Sequence, residues 1–581
     1  MGAGEIENES DASAPVFPDA NIVAVEAIAD VLRKGLGPTP QDTLVVTQLE
    51  TESGDEMRGV PGTDEFVVTS DGATILDELP LEHPVAPVVR RMVGPERPGD
   101  TDIEGEDIPD GVTSTVVLSA ELLHEATSLL EDGLHPATII QGYEHALESA
   151  LETLEEWSRS LDEFSDSSAM AVGVARTAMT GNDVGGAKDS WAQLAVEAAD
   201  QIGVPDEESF VVRQFSKGRI ADSRLIRGAV LDRHQRAHTE MPGRKDDASV
   251  LLLDGQDGHG LQLDTPDEDV SIQMETAAES NDYVAWEQER RQEAVSHIQS
   301  LGVDVVVVQS GIDTEYQHLL ATHDILGIRG VTSLDFRQVA LATGATPVLK
   351  PTDATADHLG HAETVVEEQV EPRRHRRKTR RIIVFEGCPE PDSVVMMLRG
   401  VTGQIEDQAT RQLRKATAAV AIARGYNKYD PGVVPGGGAI ELEIARQVEQ
   451  DARDLPDRSQ LAVERFANAV KSVIATLIQN AGRDPIAGLS DLRGVHANGH
   501  ARAGIVFPDG EVQDTIDAGV LDPVATKQRQ FICATEVAGL LLKVDDAIDA
   551  TFTDEPAGPE EAIYDEPARQ QQRHLEREDG S

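Results

Sequence analysis

The chain has 581 residues, 105 of them acidic against 50 basic, for a formal net charge of −55. That length exceeds a single core, so two or three domains are expected, and ordinary apolar content with a surface shifted to Asp and Glu suits a folded protein in a high-salt cytoplasm, where screening removes self-repulsion. Nucleic acid and membranes are poor partners for such a field, no apolar run could span a bilayer, the acidic start Glu5 to Asp11 is no signal peptide, and the separated Cys388 and Cys533 form no disulfide framework, as in a reducing compartment.

Residues 1–18 read as a solvated tail. Ile22, Val25, Ile28, Val31 and Leu32 then recur at helical spacing, and Gly35-Leu36-Gly37-Pro38 ends that helix in a loop. Thr43–Thr47 and Glu65–Thr69 read as strands around an exposed acidic insertion, 47–64, and Ser70-Asp71-Gly72-Ala73-Thr74 starts another helix. A second acidic insertion, 94–107, precedes Ile108-Pro109-Asp110-Gly111-Val112-Thr113-Ser114-Thr115, which runs into an apolar-periodic segment to Leu130. An acidic loop with hydroxyls that opens a helix suits a metal-bound phosphate, with Asp110 placed to hold the cation. An ordinary turn followed by an N-cap has the same pattern.

Two helices broken at Gly133-Leu134-His135-Pro136 follow, the second carrying Ile139, Ile140, Tyr143, Leu147, Leu151 and Leu154 on one face. Between about 223 and 369 apolar runs (Val250–Leu253, Val303–Val308, Ile325–Val331) alternate with helical patterns (Tyr283–Ile298, Glu315–Thr322, Phe336–Thr343), which predicts an α/β unit with a largely parallel sheet, interrupted by the acidic, helix-compatible Thr265–Glu289. The basic block Arg373 to Arg381 reads as a solvated hinge segment or a dock for an acidic neighbouring subunit, rather than a nucleic-acid site. Helical patterns resume at Ala416–Ala423, Ala439–Val448, Leu461–Asn480 and Ala534–Ile548, and from about Thr551 an acidic tail begins. Helical sequence thus flanks an α/β insert on both sides.

Ten short motifs stand in the order seen in group II chaperonins, the archaeal thermosome and its eukaryotic cytosolic relatives. They are Leu36-Gly37-Pro38, Ser70 to Leu76, Glu82-His83-Pro84, Asp110-Gly111, Ala175 to Gly181, Glu386-Gly387-Cys388, Leu398-Arg399-Gly400, Gly436 to Glu441, Asn480-Ala481-Gly482 with Asp484-Pro485, and Ala534-Thr535-Glu536 with Asp545-Asp546. The resemblance runs from about Ile22 to Ile548. It implies a multidomain α+β fold: a mostly helical equatorial nucleotide-binding domain from 1–155 and 426–581, a small intermediate domain from 156–222 and 370–425, and an α/β apical domain, 223–369. Thr265–Glu289 would be its helical lid protrusion, or else a plain surface loop. The resemblance further implies ATP and Mg, cytoplasmic double rings of homologous subunits, and unfolded proteins as clients.

Carried over residue by residue, Leu36, Gly37 and Pro38 resemble the phosphate loop, Asp110 the metal ligand, and Gly72, Gly111, Thr113 and Ser114 nucleotide contacts. Gly436 and Gly437 would allow close backbone approach, Asp522 would meet the ribose, and Asp71 would orient the attacking water. The chain departs from the family at Lys415, where a second water-positioning aspartate is expected, at Asn182 for a phosphate-sensing Lys, at Pro109 and Val112 for a glycine and a threonine, and at Thr39-Pro40-Gln41. A charged Lys cannot accept the proton of attacking water, so the resemblance predicts weakened nucleotide binding and slow or absent hydrolysis. Glu406 and Asp407 are the alternative carboxylates, more than two helical turns away.

Overall fold

The computed structural model describes residues 19–37, 43–47, 65–69, 71–79, 83, 85–93, 111–179, 188–206, 209–215, 218–254, 261, 277–370, 380–389, 392–400, 405–426, 429–507 and 510–544. The chain opens with α1 (Asp19–Arg33), an antiparallel pair β1 (Thr43–Thr47) and β2 (Glu65–Thr69), then α2 (Gly72–Glu78), α3 (Val85–Val93), α4 (Val112–Glu131) and α5 (Pro136–Trp157). Gly133, at φ +82°, makes the turn between the two long helices, and Pro136 enters α5 at its first position, where no N–H is needed. α6 (Ser167–Ala178) and α7 (Lys188–Ile202) follow.

The middle of the chain holds β3 (Phe210–Phe215), β4 (Arg224–Asp232), β5 (Arg244–Leu253), α8 (Ala277–Ser300), β6 (Val305–Val308), α9 (Thr314–Thr322), β7 (Leu326–Ile328), α10 (Ser333–Thr343), β8 (Gly360–Val370), β9 (Arg380–Glu386) and β10 (Val394–Arg399). These strands form one sheet in the order β3-β10-β4-β9-β8-β5-β6-β7. The largely parallel expectation is corrected here. β5, β6 and β7 are parallel, because α8 and α9 supply the crossovers that parallel neighbours need. β8 pairs antiparallel with both β5 and β9, and β4 antiparallel with β9 and β10. The apolar runs of β5 and β6 are buried on both faces: Val250, Leu252, Val305 and Val307 pack on the α10 side, and Leu251, Leu253, Val306 and Val308 on the α8–α9 side.

Helices dominate again through α11 (Ile405–Ala423), β11 (Val433–Pro435), α12 (Ala439–Ala452), α13 (Ser459–Asn480), α14 (Pro485–Ala497), the hairpin β12 (Ala503–Val506) and β13 (Glu511–Asp514), β14 (Leu521–Pro523) and α15 (Val524–Lys543). α14, the hairpin and the first ten residues of α15 are elements that hydrophobic spacing did not mark. Of Thr265–Glu289, residues 277–289 belong to the long α8, and the rest lies outside the described residues, as do both insertions, both tails and 371–379 of the basic block. The end of that block is described: Arg380 pairs with Asp232 and lies over the Phe215 ring, and Arg381 lies 3.2 Å from Glu367, so these two charges are answered within the chain's own sheet.

One core joins the two ends of the chain, uniting α1 to α5 with α12, α13 and α15. A second gathers α6, α7 and α11 against β3 and β10. α5 and α13 approach closely at Gly142, where a Cβ would lie 2.5 Å from Ala462 Cβ and 2.8 Å from the Ser459 carbonyl of α13. Gly142→Ala should therefore overpack this crossing and cost about 1–3 kcal/mol, read as a lower midpoint in chemical denaturation. An unchanged midpoint would mean that the two ends do not pack this tightly.

Candidate functional site

Three helices begin at one cavity of about 370 Å³. α4 starts at Gly111 (φ +91°), α12 at Gly438 (φ +83°) and α15 at Pro523, and none has a side-chain cap. The first N–H of α12 donates to the Gly436 carbonyl and that of α15 to the Gly432 carbonyl, and the positive end of each helix dipole suits an anion. Leu36, Gly37, Asp71, Gly72, Gly111, Thr113, Ser114, Lys415, Gly437 and Asp522 all line this cavity, although they come from six separate stretches. Gly436 stands just behind the wall, where a Cβ would lie 3.0 Å from Asp522 Oδ2. Pro38, Asp110 and Asn182 lie outside the described residues.

Close packing explains the small residues. A Cβ at Gly72 would lie 2.0 Å from the Thr113 hydroxyl, and one at Gly437, itself at φ +64°, 2.6 Å from the Ile505 carbonyl. The Leu36–Gly37 loop is tied from across the core: the Asn480 side chain donates to the carbonyls of Arg33 (2.7 Å) and Leu36 (2.6 Å).

Asp71 caps α2. Its Oδ2 accepts from the Thr74 N–H at 3.0 Å and the Thr74 hydroxyl at 2.9 Å, and its Oδ1 accepts from Lys415 Nζ at 3.1 Å. Burial alone would push the Asp71 carboxyl up, but the Lys415 ammonium and the Thr74 bonds outweigh it and hold its pKa at about 2.

Five further residues in the cavity wall were not assigned from the sequence. Lys527 Nζ lies 2.6 Å from Glu441 Oε1 and 3.2 Å from Asp522 Oδ2, so the carboxylate expected to meet a ribose also holds a buried ammonium. Burial opposes that charge, yet the Asp522 and Glu441 carboxylates raise the Lys527 pKa above its ordinary value. Arg176, 2.9 Å from Asp189, and Lys188 add positive charge, and Thr526 adds a hydroxyl. Burial and the nearby Arg176 lower the Lys188 pKa to about 8. Glu441 closes the quoted glycine motif and could have been found there; nothing local in the sequence marks Lys188 or Thr526.

Residues 28–551 match the TCP-1/cpn60 chaperonin family. The chain belongs to this family. It is 35% identical over 537 residues to a thermosome subunit of Methanopyrus kandleri, covering 91% of each chain. Thermosome subunit alpha of Halobacterium salinarum is 34% identical over 91% of this chain and 88% of its own, and thermosome subunit alpha of Thermoplasma acidophilum 32% identical over 93% and 92%. The chain is thus a group II chaperonin subunit, of a family that uses ATP and Mg in general. The glycines that clear space, the three helix starts and the cationic wall fit a magnesium nucleotide.

In this chaperonin subunit the Asp71–Lys415 pair ties α2 to α11. Removing its cation leaves a largely buried carboxylate with only its Thr74 hydrogen bonds, so Lys415→Met should cost about 3 kcal/mol, measured by urea unfolding. Because the folded pKa of Asp71 lies below its unfolded value of 3.8, its stabilisation is present above that pH and lost as pH falls from about 4 towards about 2, and the acid limb of the stability curve should flatten in Lys415→Met. Lys188 carries charge below about pH 8, so MgADP affinity should fall as pH rises through that value, and Lys188→Ala should remove the step in an isothermal titration series.

Proposed function

We propose that this chaperonin subunit binds magnesium nucleotide in the cavity, assembles with homologous subunits into a cytoplasmic double ring that assists the folding of unfolded proteins, and hydrolyses ATP slowly or not at all. Leu36, Gly37, Pro38, Gly72, Gly111, Thr113, Ser114, Gly436 and Gly437 would cradle the nucleotide, Asp522 would face the ribose, and Asp110 would hold the metal. Magnesium, when bound, neutralises phosphate charge. Residues 1–155 and 426–581 are assigned to the equatorial domain, 156–222 and 370–425 to the intermediate domain, and 223–369 to the client-facing apical domain.

The observation that carries the reading of slow hydrolysis is the 3.1 Å contact between Lys415 Nζ and Asp71 Oδ1 within the cavity. A carboxylate held at a pKa of about 2 is a weak proton acceptor at neutral pH, and its neighbour, a charged amine, accepts nothing. The same ammonium favours holding a polyphosphate over cleaving it. This contact equally supports a second reading, a non-hydrolysing structural or regulatory member of a hetero-oligomeric ring.

Phosphate release per subunit from the purified chain should fall well below that of an active thermosome subunit assayed alongside, and Lys415→Asp should raise it at least about ten-fold. Turnover equal to the active subunit, and abolished by Asp71→Ala, would refute slow hydrolysis. Electron micrographs of the chain alone and mixed with a second thermosome subunit distinguish the two readings: double rings formed only in the mixture favour the regulatory one.

A further inference from the structure

Thr526 is the third residue of α15, 6% exposed and on the cavity wall, and its hydroxyl has no hydrogen-bond partner among the described residues. A threonine within a helix commonly turns its Oγ1 back on the carbonyl four residues earlier. Thr115, Thr153, Thr177, Thr343, Thr417 and Thr535 all do so. Four residues before Thr526 stands Asp522, in strand β14 and paired with Val434, so no helical carbonyl lies beneath this hydroxyl. A buried hydroxyl left without a partner is costly, and such groups in folded proteins call for an explanation.

The surroundings supply one. The Thr526 methyl carbon lies 3.4 Å from where a Cβ on Gly111 would be, which places it against the start of α4. That helix has no side-chain cap, and its first residue, Val112, brings no hydroxyl. Two helix starts without side-chain caps therefore meet at Thr526, beside a wall that carries Arg176, Lys188 and Lys527. A ligand that satisfies a hydroxyl donor and two positive helix ends together is an anion with several oxygens.

We propose that Thr526 is a phosphate-binding residue, its Oγ1 donating a hydrogen bond to a phosphate oxygen of a nucleotide seated at the starts of α4 and α15, and so providing the hydroxyl that position 112 lacks. This deepens the nucleotide reading of the cavity and rests on it.

The test is isothermal titration of the full-length chain in concentrated KCl with MgADP and, separately, with adenosine. Thr526→Val should weaken MgADP binding about ten-fold or more and leave adenosine within two-fold of the unaltered chain, whereas Thr526→Ser should retain MgADP affinity. Val112→Thr placed in the Thr526→Val chain should recover most of the loss. Because the hydroxyl is unpartnered without ligand, Thr526→Val should melt no lower than the unaltered chain when nucleotide is absent, a readout that a purely structural threonine would move downwards. If Thr526→Val binds MgADP as the unaltered chain does, or loses adenosine equally, the phosphate role is wrong while the cavity assignment stands. If the unaltered chain binds neither ligand, both fall.

Discussion

The structure depends on helices from opposite ends of the chain packing as one body. Tyr143 of α5, Phe466 of α13 and Phe531 of α15, all buried, pack in sequence, Tyr143 edge-on to Phe466 and Phe466 stacked on Phe531, with ring centroids 5.8 Å and 6.3 Å apart, and the Tyr143 hydroxyl donates to the Leu122 carbonyl of α4 at 2.7 Å. Aromatic contacts of this kind add to the area they bury, and the buried hydroxyl is satisfied. Because α4 and α15 are held side by side, their starts coincide, and the cavity exists only where they meet. The whole middle of the chain, with its eight-stranded sheet, is inserted between the two halves of this body.

The cavity runs against the charge of the molecule around it. In a chain of net charge −55 with only 11 lysines, three of them, Lys188, Lys415 and Lys527, line this one space together with Arg176, opposed by Asp71, Glu441 and Asp522. Lys527 is committed to Glu441 and Asp522, and Lys415 to Asp71. The wall is therefore organised by internal ion pairs that also leave Glu441 Oε2, Gln412 Oε1 and the Thr526 hydroxyl without partners among the described residues. A site built this way is better suited to holding an anion than to generating a base, since the Asp71 carboxylate is pinned by an ammonium.

Several elements could be read directly. β1 and β2 fall on Thr43–Thr47 and Glu65–Thr69 as their β-branched composition predicts, and the apolar faces of α1 and α5 are buried where their spacing places them. Sheet direction was only partly legible: the apolar runs of β5, β6 and β7 are parallel, but the consecutive β8 and β9, which the spacing did not mark, pair antiparallel, and periodicity does not report which neighbour a strand selects. α14 was missed for a related reason: Leu492 and His496 are its main buried anchors, too sparse a stripe to distinguish from a loop.

By itself the sequence determined the family, the ordered set of phosphate-loop and glycine motifs, and the replacement of a carboxylate by Lys415, because these are identities and spacings along the chain. Only the tertiary structure decided that Lys415 spends its charge on Asp71, that Lys527 engages Glu441, and that Thr526 stands at the start of α4. Such partnerships join residues up to 415 positions along the chain from each other's helices, and no local pattern encodes a distance between side chains that meet only when the two ends of the chain fold together.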